Sequence, residues 1–136
     1  MATSRTIPHL TRLSRHVYAS ATAELIGMNL KQVTMLAKLQ QQGELPQTLL
    51  CDMMGTSQNT VVTWLNELEE RGFVTRLRDP EDRRKHNVAI TEAGVAALER
   101  AEAELRRIED EVLAALSSDE RTQLRRLLAK ALDALS

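Results

Sequence analysis

The chain has 136 residues, 43% of them hydrophobic and 27% charged, with a formal net charge of −1, which is enough for one core but not two and excludes a disordered polar chain. Aromatic side chains make up only 2%, namely Tyr18, Trp64 and Phe73, so Leu, Val, Met and Ala must fill the core, as suits packed helices rather than a β-sandwich. Residues 1–42 carry five Lys/Arg against one acid, 43–90 six against eight, and 91–136 seven against ten; this balance neither indicates nor excludes nucleic acid.

From Pro8 to about Ile26, Leu10, Leu13, Val17, Ala21 and Leu25 recur at three- and four-residue steps, which predicts an amphipathic helix with Pro8 in its first turn. Gly27 interrupts, Asn29 can cap, and Leu30, Val33, Leu36, Ala37 and Leu39 predict a second helix closed by Gly43. Pro46 opens a short helix carrying Leu50, Cys51 and Met54 that Gly55 ends. Ser57 caps a fourth helix with Val61, Trp64, Leu65 and Leu68 on its inner face, and Gly72 stops it.

The period then changes. Phe73, Val74, Arg76, Leu77 and Arg78 read as a strand, Asp79 and Pro80 as a turn, and Asn87 to Ile90 as a second strand of a β-hairpin. Thr91 caps a long helix in which Leu98, Leu105 and Val112 recur at seven, as do Ala101, Ile108 and Ala115. Ser117 and Glu120 fit a capping box for a last helix lined by Leu124, Leu127, Leu128, Leu132 and Leu135.

Two short helices joined by a Gly-containing turn are the layout of a helix-turn-helix, whose second helix presents its N-terminal residues to base edges. Here these are Ser57, Gln58, Asn59, Thr60 and Thr63, small or amide side chains able to exchange hydrogen bonds with bases or phosphates, with no acid to repel the backbone. The hairpin tip, Asp79-Pro80-Glu81-Asp82-Arg83-Arg84-Lys85, gathers cations at the end of a protruding wing. Arginine there suits a narrow, A·T-rich minor groove, and the tip acids can hold it by ion pairing.

The segments LNELEERGFV (Leu65–Val74), DPEDRR (Asp79–Arg84) and ITEAG (Ile90–Gly94) resemble the MarR family of bacterial regulators, and the helix order matches over nearly the whole chain. The resemblance implies a homodimer whose first and last helices interlock at a base, with winged lobes seated on palindromic DNA. It also implies that Arg84 is the wing arginine that reaches DNA, Asp82 its supporting acid, and Ser57 to Thr63 the base-facing turn. Many relatives carry Arg at the position of Thr63, so a recognised sequence does not transfer from them. Trp64 stands where an aliphatic residue is usual and, sharing a face with Val61, is expected to pack in the core. The family further implies a small anionic or phenolic effector, bound between base and lobe.

Cys51 is the chain's one cysteine, which excludes an internal disulfide and agrees with a reducing compartment. It lies on the stripe with Leu50 and Met54, where a free thiol acts as a small hydrophobe rather than a redox sensor. His9, Arg12 and His16 share a face of the first helix, either as a solvated face or as a site for an anion; no neighbouring carboxylate or Cys supports a metal. No nucleophile elbow, phosphate-binding glycine loop, HExxH or paired-carboxylate pattern occurs, so neither an enzyme nor a cofactor is expected. No apolar run approaches the roughly 20 residues that span a bilayer, and no charged-then-apolar leader opens the chain, so the expected location is cytoplasmic, with no membrane partner.

The expected architecture is mostly α with a small β-hairpin wing, about six helices in one domain over residues 1–136. Residues 1–42 and 91–136 are expected to form a dimer base and 43–90 a winged helix-turn-helix lobe. DNA-binding candidates are Ser57, Gln58, Asn59, Thr60, Thr63, Asp82, Arg83, Arg84 and Lys85, with a pseudo-palindromic duplex as the partner. The apolar stripes on the first and last helices exceed what one small lobe covers, which makes Leu10, Leu13, Val17, Leu124, Leu128 and Leu132 candidates for a homodimer interface. The competing reading is a winged-helix module that binds protein and has no sequence-specific DNA affinity.

Overall fold

A computed structural model describes residues 5–22 and 27–135. They form α1 (Thr6–Ser20), α2 (Leu30–Gln42), β1 (Leu45–Pro46), α3 (Gln47–Met54), α4 (Gln58–Glu70), β2 (Val74–Arg78), β3 (His86–Ile90), α5 (Glu92–Val112) and α6 (Ser118–Asp133). The chain divides into two compact units, residues 21–105 and residues 1–20 with 106–136.

In residues 21–105 local chemistry satisfies most helix ends, the start of α3 at Pro46 having no side-chain cap. Asn29 and Gln32 form a full capping box, with Gln32 N–H donating to Asn29 Oδ1 at 2.8 Å and Asn29 N–H to Gln32 Oε1 at 3.0 Å. Gly55, at φ 65°, gives α3 the left-handed exit that a side chain would oppose. Leu36, Leu39, Leu50, Val61, Leu65 and Leu68 are fully buried in one cluster, which Val74, Val88 and Leu98 extend from the strands and α5. Trp64 is half-buried against it.

The sheet has the antiparallel order β1-β3-β2. β2 pairs with β3 from Val74↔Ile90 to Arg78↔His86, and β1 adds Leu45↔Val88 and Pro46↔Asn87. This third strand is absent from the sequence reading, in which Pro46 opens α3. Pro46 instead serves as both a strand residue and the residue before the helix, because two residues suffice for pairing but not for a visible alternation. A helix-turn-helix followed by this hairpin is a winged helix.

The exit from β3 rests on a close backbone approach. Thr91 N–H donates to the Phe73 carbonyl at 3.0 Å, Thr91 Oγ1 donates to the Gly72 carbonyl at 2.6 Å, and Gly94 N–H donates to Thr91 Oγ1 at 3.0 Å. A Cβ on Gly94 would stand 2.1 Å from the Phe73 carbonyl oxygen, so ITEAG ends in glycine because no side chain fits there.

In residues 1–20 and 106–136, α1 ends at Ser20, short of the Ile26 expected from its stripe. Ser20 and Thr22 are weaker helix formers than the alanines beside them; Ala21 lies beyond α1, and Leu25 and Ile26 are outside the described residues. The heptad stripe of α5 also outruns its helix, which stops at Val112 before Ala115. Ser117 and Glu120 then form the expected capping box for α6. Burial is sparse: neither α1 nor α6 contains a buried residue, and only Ile108 is buried among the described residues of this unit.

Candidate nucleic-acid interface

The face of α4 opposite its core stripe carries Gln58, Asn59, Val62, Thr63 and Asn66 at helical spacing. Ser57 caps the helix, its Oγ accepting from Thr60 N–H at 3.2 Å and lying 2.8 Å from Thr60 Oγ1. Thr63 Oγ1 donates to the Asn59 carbonyl at 2.9 Å. The hydroxyls are therefore partly or wholly engaged, whereas the exposed Gln58 and Asn59 amides have no partner among the described residues.

Buried polar contacts fix the pose of α4. Gln32, itself buried, donates through Nε2 to the Trp64 carbonyl at 3.3 Å and to Glu67 Oε2 at 2.8 Å, tying α2 to α4. Arg76, mostly buried and pointing inward from β2, reaches Asn66 Oδ1, Glu69 Oε1 at 3.5 Å and Gln47 Oε1 at 3.4 Å, thereby joining α3, α4 and the wing. From the sequence, Arg76 is expected only as a strand residue. Its signal was available, because in a period-two strand it shares a face with buried Val74, where a charge demands partners.

At the wing tip, Asp79 Oδ1 accepts from the N–H groups of Glu81 at 2.8 Å and Asp82 at 3.3 Å, folding the turn. Asp82 accepts from Arg84 Nε at 3.2 Å, from its Nη2 at 3.3 Å and from its backbone N–H at 3.0 Å. The Arg84 side-chain bonds, then its backbone bond, hold the Asp82 carboxyl below its usual range. The clip is thus charged at neutral pH and is lost only as pH falls through that lowered value. Arg84 stays 90% exposed, and the exposed side chains of Arg83 and Lys85 have no ion pair among the described residues.

The family model described as the MarR family matches residues 28–86, spanning α2 to the start of β3. A probable transcriptional regulator from Pseudomonas aeruginosa, solved by crystallography, is 32% identical; the match covers 90% of this chain and 92% of that one, at a TM-score of 0.75. The chain belongs to the MarR family. YdgJ of Bacillus subtilis (strain 168), an uncharacterised HTH-type transcriptional regulator, is 32% identical over 104 residues; that match covers 76% of this chain and only 63% of YdgJ. BpsR of Bordetella bronchiseptica, whose DNA binding is regulated by 6-hydroxynicotinic acid, is 26% identical with a TM-score of 0.73, covering 93% of this chain and 98% of BpsR.

The other candidate residues of this MarR-family chain lie on α1, α3 and α6. Leu10, Leu13 and Leu124 are brought together around an open groove of about 370 Å³ with Arg5, Thr6 and His9. Leu10, Leu13, Leu128 and Leu132 are exposed, and Val17 and Leu124 are half-buried. Cys51 is buried in the lobe core, and burial, then the Asp52 carboxylate, pushes its thiol pKa up. Of the cationic face of α1, Arg12 and His16 line a second open cavity of about 360 Å³ with Arg15 and Ala19, whereas His9 Nδ1 donates to the Arg5 carbonyl. Among the described residues, no group of three or more His, Cys, Asp or Glu could hold a metal, and no helix is long and apolar enough to cross a membrane.

Proposed function

We propose that this chain is a sequence-specific DNA-binding transcriptional regulator, a repressor that occupies a pseudo-palindromic duplex as a homodimer. The observation that carries this reading is the pairing, on one lobe, of an α4 face with two unengaged amides and a wing tip whose Arg83, Arg84 and Lys85 are exposed. Amides read base edges in the major groove; clustered cations at a tip hold phosphates or enter the minor groove. Ser57, Thr60 and Thr63 shape the first two turns of the reading helix, and Asp82 pre-sets Arg84. The exposed leucines of α1 and α6 form the dimer contact. A small anionic or phenolic effector releases the DNA, by analogy with BpsR, and the Arg12, Arg15 and His16 face offers it cations.

Mobility shift against fragments of the source genome at moderate salt tests the reading, because a module that binds only protein gives no sequence-selective retardation. Two variants separate the elements. Asn59→Ala loses roughly 1–3 kcal/mol on the preferred fragment and keeps the salt slope. Arg84→Ala weakens binding to specific and random DNA alike and lowers the slope by about one unit, since one fewer counterion is released. An Arg84→Ala protein with unchanged affinity and slope would remove the wing from the mechanism.

A further inference from the structure

Resting on the reading that α4 lies in the major groove, we infer that its half-site is built on A·T pairs. Gln58 and Asn59 read adenine, the methyl groups of Val62 and Thr63 read thymine, and guanine is not selected by this helix.

A side-chain amide carries one donor and one acceptor side by side. In the major groove, adenine alone among the purines matches it, with N6–H₂ donating and N7 accepting; guanine presents two acceptors, O6 and N7, and calls for two donors on one side chain. Arginine or lysine supplies those, but α4 carries neither in its thirteen residues.

The contacts around α4 narrow the choice further. Thr63 has spent its hydroxyl proton on the Asn59 carbonyl and has no donor left for a base, while its methyl, with half-buried Val62, suits the thymine C5-methyl. Asn66, the next amide on this face, has its Oδ1 taken by Arg76 and so cannot offer the donor–acceptor pair that adenine matches. Glutamate can accept from cytosine N4, but Glu67 is bound to Gln32 at 2.8 Å, Glu69 is paired with Arg76 at 3.5 Å, and Glu70 is the last residue of α4, at the end away from Gln58 and Asn59. Ser57 and Thr60 share a hydroxyl contact at 2.8 Å, so the polar side chains without any partner at the start of the helix are the two neutral amides, followed by methyls.

Selection of bound duplexes from a randomised library by the full wild-type chain, followed by replacement of each selected adenine with 7-deazaadenine, tests this. The replacement deletes N7 from the major groove and leaves the minor-groove edge intact. The expected result is an A·T-based half-site in which one or two adenines lose binding on the order of 5- to 150-fold on replacement. Asn59→Ala or Gln58→Ala, with an unchanged melting temperature, should abolish that sensitivity at its own position. Selected G·C pairs at the positions facing α4, or A·T pairs indifferent to 7-deazaadenine, would overturn the inference and leave DNA binding standing. A library with no enrichment would overturn the DNA-binding reading, and this inference with it.

Discussion

In residues 21–105 the apolar stripes end inside: Val61, Leu65 and Leu68 of α4 are fully buried against α2, α3 and the sheet. In residues 1–20 and 106–136 similar stripes end outside, with no buried residue on α1 or α6, and with Leu128 and Leu132 41% and 66% exposed. The same residue types at the same spacing thus mark a finished core in one unit and an uncovered surface in the other. A helical stripe states that a helix needs cover, not whether its own chain supplies it.

The largest expected effect breaks the uncovered surface. Leu13→Asp combined with Leu128→Asp should turn the proposed dimer into a monomer, raising the dissociation constant by at least about 100-fold, as read by sedimentation at micromolar concentration. A wild-type chain that sediments as a stable, folded monomer would erase the contrast between the units. Leu65→Ala, inside the finished core, should instead cost about 2–5 kcal/mol in denaturant unfolding through lost burial and the cavity left behind. A loss under about 1 kcal/mol would mean that this core does not hold the lobe.

Gly94→Ala probes the buried lobe at a single point, because it adds one carbon at a close backbone approach. With the Phe73 carbonyl 2.1 Å from the new Cβ, the backbone must shift, at about 1–3 kcal/mol measured by thermal unfolding; an unchanged melting temperature would contradict the close approach. Smallest is Cys51→Ala, at about 1 kcal/mol. With its pKa raised by burial and then by Asp52, the thiol should react slowly with alkylating reagents at neutral pH. DNA release on oxidation that disappears in the variant would make Cys51 a sensor after all.

What the sequence disclosed was chiefly local. Asn29, Ser57, Thr91 and Ser117 cap the helices that their spacing indicates, and the hairpin follows from a change of period after Gly72. β1 was hidden because Leu45 and Pro46 gain their pairing from Val88 and Asn87, far along the chain. The end of α1 was hidden because its apolar stripe continues past Ser20, so periodicity marks no stop there. Gln58 and Asn59 were visible as polar residues at a helix start. That they are free while Thr63 and Asn66 are engaged depends on the Asn59 carbonyl and on Arg76 of the neighbouring strand, a relation that spacing does not carry.

Hydroxyl-radical footprinting on a bound genomic fragment tests most directly whether paired winged lobes read DNA. Two α4 helices related by a two-fold axis should protect two equivalent half-sites whose centres lie about 10 base pairs, or a multiple of that, apart. Protection of a single asymmetric site, or none under conditions where the chain is folded, would contradict the account.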